Sequence, residues 1–155
     1  MDPKKATKIG FACLILCLMG LCFVGFVVAE DSVPGYYDWK WYVTSHIGEY
    51  TTAPSGYEYA VITLYIQNDG DQSITTSPHG WNLIADGIKY EHDASTFDRS
   101  IGYQDIEIVK GRNTETKIVY LVKGKPTNIH LQFDGIWGIG PTFKEINHYV
   151  NRTSL

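Results

Sequence analysis

The residues best equipped for acid–base or metal chemistry are five histidines: His46, His79, His92, His130 and His148. They are widely spaced, and no two stand at the short separations that bring a pair of imidazoles onto one metal ion. A metal site would need several of them to converge through the fold, so the sequence names no metal ligand. His130 alternates with Ile129 and Leu131, which puts it on the solvent side of a strand.

Oxygen donors are more plentiful. Glu91-His92-Asp93, Asp98, Asp105 and Glu107 could gather around calcium, and Asp69-Gly70-Asp71 could add others. The EF-hand alternation of Asp and Asn closed by Glu is missing, and Asp and Gly are what tight turns require for their own reasons. Ser45-His46 with a remote Asp has the composition of a hydrolytic triad, but a domain of this size offers many such combinations. There is no Gly-x-Ser-x-Gly elbow, no His-Glu-x-x-His, no phosphate-cradling glycine loop and no cysteine knuckle. The expectation is a protein that is not an enzyme, with no catalytic residue, no bound metal and no cofactor.

The cysteines bear on where the chain resides. Cys13, Cys17 and Cys22 all lie in an apolar run from Ile9 to Ala29, 21 residues without a charge, Asn, Gln, Ser or Thr. Lys4, Lys5 and Lys8 precede this run, and Glu30 and Asp31 end it. A basic flank, an apolar stretch and an acidic exit leave the N-terminus in the cytoplasm and send the rest across the membrane. The length matches the roughly 20 residues that a helix needs to span hydrocarbon, which favours a retained anchor. Val27-Val28-Ala29 before Glu30 also places small residues where a signal peptidase cuts. Cys22 would suit a lipoprotein, but Leu21 stands where Gly, Ala or Ser is expected. The cysteines read as small apolar residues of a membrane helix, so the exported part has no disulfide and must be held by its core alone.

Charge narrows the partners. Beyond residue 29 the chain carries ten Lys and Arg against sixteen Asp and Glu, a net charge of −6 with His neutral. Phosphate recognition needs a basic face, so this balance argues against nucleic acid. It also argues against electrostatic docking on anionic lipid. The expected membrane contact is through residues 9–29 alone.

The exported part reads as short β-rich runs with turn signals between them, the pattern of an antiparallel sandwich. Residues 30–36 form a linker and 37–150 the domain, with 151–155 as a tail. In the strand Glu58 to Asn68, Ala60, Ile62, Leu64 and Ile66 make a uniformly aliphatic face, which should meet the core. Tyr59, Val61, Thr63, Tyr65 and Gln67 make a mixed one. Glu115 to Val122 is apolar on both faces and is expected at the centre of a sheet. Tyr37 to Thr44 is the first strand, and Asn128 to Phe133 aligns Ile129, Leu131 and Phe133. Trp81 to Ala85 and Ile88 to Tyr90 flank Asp86-Gly87, a compact hairpin signature. Ile106 to Val109 is a further run, and Phe143 to Val150 is a strand in preference to a short helix.

Four Trp, eleven Tyr and three Phe lie outside the apolar run. Trp39, Trp81 and Trp137 are expected to fill the core, while the Tyr-rich faces are open to a sugar or protein partner. Asn151-Arg152-Thr153 is an Asn-x-Thr glycosylation acceptor if this end is exported.

Four elements carry a family likeness: Gly56 to Asn68; Trp81 to Tyr90 with its Asp-Gly turn; Val109-Lys110-Gly111 leading to Ile118 to Val122; and Asn128 to Phe133. In this order, over roughly residues 37 to 134, the chain resembles a family of exported domains of unknown role, common in archaea and in bacteria with one membrane. Their fold is an immunoglobulin-like sandwich, similar to that of a mycobacterial immunoprotective extracellular antigen. The resemblance implies an archaeal-type, lipid- or helix-anchored surface protein and carries over no catalytic residue. The expected architecture is thus all-β, an immunoglobulin-like antiparallel sandwich behind an N-terminal hydrophobic helix. The expected role is a non-enzymatic surface module that binds protein or glycan at the envelope. The alternative is a pilin-like filament subunit, whose apolar helix packs into the filament core.

Overall fold

The computed structural model describes residues 35–135 and 143–146, all within the unit Val33–Leu155. The expected helix at 9–29 with its three cysteines, most of the linker, Trp137 and Asn151 lie outside the described residues. No helix among the described residues is long and apolar enough to cross a membrane.

Alternation of aliphatic and polar side chains dictates strands, and the regular elements of the described residues are all β apart from short 3-10 turns at Pro78–Gly80 and Ala94–Phe97. In chain order the strands are β1 (Gly35–Thr44), β2 (His46–Ile47), β3 (Thr51–Thr52), β4 (Tyr57–Asn68), β5 (Ile74–Thr75) and β6 (Trp81–Ala85). They continue with β7 (Ile88–Tyr90), β8 (Glu107–Ile108), β9 (Asn113–Lys123), β10 (Ile129–Phe133) and β11 (Phe143–Glu145). β1 begins two residues before the expected first strand, because Gly35 and Tyr36 pair with Asn68 and Gln67. β11 runs parallel to β1, in keeping with the strand preference for the first residues of the C-terminal segment.

The larger sheet has the order β11-β1-β4-β9 and the second β10-β6-β7; β2–β3 and β5–β8 are two-stranded ribbons. Side chains from the two larger sheets meet in one apolar cluster. β4 contributes Ala60, Ile62, Leu64 and Ile66, the face expected from the sequence, and all four are fully buried. β1 adds Tyr37 and Trp39, β9 adds Ile118, Tyr120 and Val122, and the second sheet adds Trp81, Leu83, Ala85 and Leu131. Each large aliphatic so placed stabilises the fold by about 1.5–3 kcal/mol relative to exposure. Two hydroxyls tie the layers together: Tyr120 Oη donates to the Trp81 carbonyl at 3.1 Å and Tyr37 Oη to that of Leu131 at 3.4 Å.

One expectation is corrected here. β9 lies at the edge of its sheet, and β4 occupies the middle. The apolar outer side chains that suggested a central strand are covered by Ile47 of the β2–β3 ribbon, Ala53 beside it and Ile101 of the loop before β8. Tyr59, Val61 and Val119 pack with Ile47 in a second, smaller cluster, with Tyr42, Ala53, Ile101 and Leu121 around it. The loop also occupies the strand's open hydrogen-bonding edge. Thr96 Oγ1 accepts from Val119 N–H at 3.0 Å and reaches the Val119 carbonyl at 3.2 Å, while Asp93 N–H donates to that carbonyl at 2.7 Å. An unpaired edge is a template for association, and this turn blunts it.

The β6–β7 turn forms as its sequence requires. Asp86 and Gly87 both have positive φ, 47° and 82°, as a two-residue turn between twisted strands demands. Asp86 also ties the turn to the start of β10: its carboxylate accepts from Asn128 N–H at 2.9 Å and from Thr127 Oγ1 at 3.1 Å.

Candidate functional site

Most of the polar residues singled out above are occupied locally. Asp93 caps the Ala94–Phe97 turn by accepting from Ser95 N–H at 2.8 Å. Asp98 accepts from the Ser100 hydroxyl and amide, which hold its carboxyl below the usual range. Asp69 accepts from Gln67, Asp105 meets the Tyr103 hydroxyl, and Asp71 pairs with Lys110. Among the described residues no three His, Cys, Asp or Glu come together as a metal-binding group, so the acids weighed as calcium donors stay apart. Ser45 Oγ lies 2.7 Å from His46 Nδ1, but both are exposed and no carboxylate is hydrogen-bonded to that imidazole among the described residues. His130 is exposed on β10 as its alternation requires.

The tryptophans divide as expected where they are described. Trp39 and Trp81 are buried, and Trp81 is edged by Tyr37, Phe133 and Phe143 at ring separations of 4.9, 4.7 and 5.7 Å. Tyr50 and Phe97 are the most exposed aromatics among the described residues.

Two histidines, however, do converge. His79 on the Pro78–Gly80 turn and His92 just after β7 meet edge to face, with ring centres 4.4 Å apart. Sequence spacing hides the pair because thirteen positions separate them. The hairpin brings them back: β6 and β7 pair Leu83 with Tyr90, and the register carried two residues further sets His92 opposite Trp81, two residues from His79. Extending the register from the Asp-Gly turn was the signal that could have found it.

Both partners sit on fixed backbone. Gly80 N–H bonds the Ser77 carbonyl, and the Gly80 carbonyl accepts from Asp134 N–H at 2.9 Å. His92 precedes Asp93, whose amide is held on β9, and the Phe97 ring stands edge-on to His92 at 5.9 Å. The pair lines a pocket of about 200 Å³ with Trp81, Asn82, Lys89 and Glu91. Asn82 and Lys89 both donate to Asp134, so the ammonium is neutralised beside the cleft. Burial lowers the His92 pKa and the neighbouring His79 lowers it further, against an opposing pull from Glu91 and Asp93. The lowering favours the neutral ring, in which one nitrogen donates and the other accepts. The lining has no Ser, Thr or Cys, so the pocket offers hydrogen bonds and charge but no hydroxyl or thiol nucleophile.

A family model described as a domain of unknown function (DUF4352) matches residues 39–142. No curated protein matches the chain. The fold is similar to the crystal structure of ycdA from Bacillus subtilis subsp. subtilis str. 168, a protein provisionally assigned as a lipoprotein. The TM-score is 0.51 at 14% identity, over 67% of this chain and 32% of that one. This chain thus aligns with about a third of that neighbour, and the likeness concerns the fold.

Proposed function

The chain belongs to the DUF4352 family, and from that premise we propose that it is an exported surface module that binds protein or glycan at the cell envelope without transforming it. The two facing sheets are read as an immunoglobulin-like sandwich, held at the membrane by the apolar stretch 9–29. Asn151 is then on the outer side, where it can accept a glycan.

The observation that carries this reading is the His79–His92 pocket. It presents two imidazoles, an amide, a neutralised ammonium and a carboxylate, and its lining lacks a hydroxyl or thiol nucleophile. Convergent donors and acceptors of both kinds suit a ligand rich in hydroxyls or amides. The sequence basis for export is the basic, apolar and acidic succession over residues 4–31.

The test uses the full chain in detergent, titrated with envelope oligosaccharides and purified envelope proteins while the Asn82, His79 and His92 resonances are followed. Saturable shifts at those three residues support the proposal. Failure of every such ligand to move them overturns it, as does a reporter fused after Leu155 that stays in the cytosol. N-terminal sequencing of the native protein that found cleavage just ahead of the apolar run would redirect the reading to a filament subunit.

A further inference from the structure

We propose that His79 and His92 form a two-imidazole chelate for a divalent late transition-metal ion, of the zinc, nickel or copper class. The geometry points there first. Two imidazole nitrogens bound to one ion at about 2.0–2.1 Å set their ring centres roughly 5 Å apart. The rings stand 4.4 Å apart, perpendicular and edge to face, so both side chains are within reach of one ion, and turning the ring that now presents its face brings a nitrogen of each toward it.

The supports are fixed before any ion arrives. His79 is carried by a turn closed by the Gly80 to Ser77 bond and tied to Asp134, and His92 is carried by the segment that Asp93 and Thr96 fasten to Val119. Pre-placed ligands avoid the ordering cost that weakens two-histidine sites on mobile loops. His79 is exposed, which gives an ion a route in from solvent. Lys89, the cation in the pocket lining, is neutralised by Asp134, and the exported part is acidic overall, so the surrounding field admits a cation.

Imidazole selects this class of ion over magnesium or calcium, which take oxygen. No third His, Cys, Asp or Glu completes the site among the described residues, so water or an incoming ligand holds the other positions. The chelate is an open one, with exchangeable coordination sites facing the pocket. It does not depend on the pocket binding a glycan or protein.

The experiment uses the full chain in detergent with Cys13, Cys17 and Cys22 alkylated, and copper(II) as the probe. Electron paramagnetic resonance should show coupling to two nitrogens at one ion per chain. His79→Ala and His92→Ala should each reduce this to one nitrogen and weaken binding at least about tenfold, whereas His46→Ala and His130→Ala leave it unchanged. Far-UV circular dichroism checks that the variants fold, and His79→Gln gives a milder version should the alanine variant not. Copper binding that ignores both substitutions, or its absence from the folded wild-type chain, overturns the proposal.

Discussion

The two faces of the β4–β9 ladder are closed in different ways. The inner face is covered by another sheet: Ala60, Ile62, Leu64 and Ile66 meet Trp81, Leu83 and Leu131, and no side chain in that row is exposed. The outer face is covered by a short ribbon and a loop, and only at one end. Tyr59, Val61 and Val119 are shut in against Ile47, Ala53 and Ile101, and Thr96 closes the β9 edge at Val119, while Tyr65 and Gln67 further along are half-exposed. A sheet covers by area and is indifferent to any one bond. A loop covers by a few hydrogen bonds, and the segment fastened at 93–97 also sets His92 in the pocket. The inner face therefore governs stability, whereas the outer closure links stability to the candidate site.

Breaking the inner face should cost most. Leu64→Ala removes a fully buried side chain from the middle of the core and is expected to lose about 2–5 kcal/mol in denaturant unfolding. Gln67→Ala, on the opposite face near the strand end, should stay within about 0.5 kcal/mol. If the two losses were equal, the difference between the faces would be lost with them.

Next in size is the strand's end. Asn68 is fully buried, and its amide donates to the carbonyls of Ile108 and Gln72 at 2.7 and 2.8 Å while its oxygen accepts from Gly70 N–H at 3.0 Å. Asn68→Ala leaves the Ile108 carbonyl buried without that donor, and a loss of about 2–3 kcal/mol is expected. Hydrogen exchange should rise first in the β5–β8 ribbon, which this side chain anchors. Uniform exchange across both sheets would instead make Asn68 a general core residue.

The outer closure is probed by Thr96→Val, which keeps the shape and removes the hydroxyl. Val119 N–H then loses its acceptor, at a cost of about 1–3 kcal/mol. The sharper readout is the His92 ring: its resonances should shift in this variant and stay put in Leu64→Ala measured under folded conditions. Unmoved His92 signals would separate the loop's closing role from the pocket.

These contrasts also mark how far the sequence could be read. The β4 inner row, the Asp86-Gly87 turn and the β10 row were legible because each is written in local periodicity or local backbone demand. The position of β9 was not. Val119 and Leu121 are as apolar as a central strand requires, but the cover for that face comes from Ile47, Ala53 and Ile101, and the open edge is closed by Thr96, all distant in sequence. The candidate pocket was missed for the same reason. His79 and His92 were each weighed by their sequence separation, whereas the hairpin between them sets their distance in space. Non-local closure leaves only a faint trace in composition.

The smallest expected effect tests how the second sheet is pinned. The Asn128 amide is the largest cause of the lowered Asp86 carboxyl pKa, burial opposes it, and the Thr127 hydroxyl and amide add to the lowering. A carboxylate whose folded pKa is depressed contributes stability that is present above its unfolded value, about 3.9. That contribution is lost as pH falls through the lower folded value. Asp86→Asn tolerates the positive φ and keeps an acceptor but removes the charge, so it should be slightly less stable than wild type at pH 7 and match it near pH 2. Asp86→Ala should be weaker at both, because it also loses the acceptor and strains a left-handed backbone. Chemical denaturation at the two pH values checks this. An Asn variant whose deficit persisted in acid would mean that the turn is held by conformation alone, and that the Thr127–Asn128 contacts add nothing through charge.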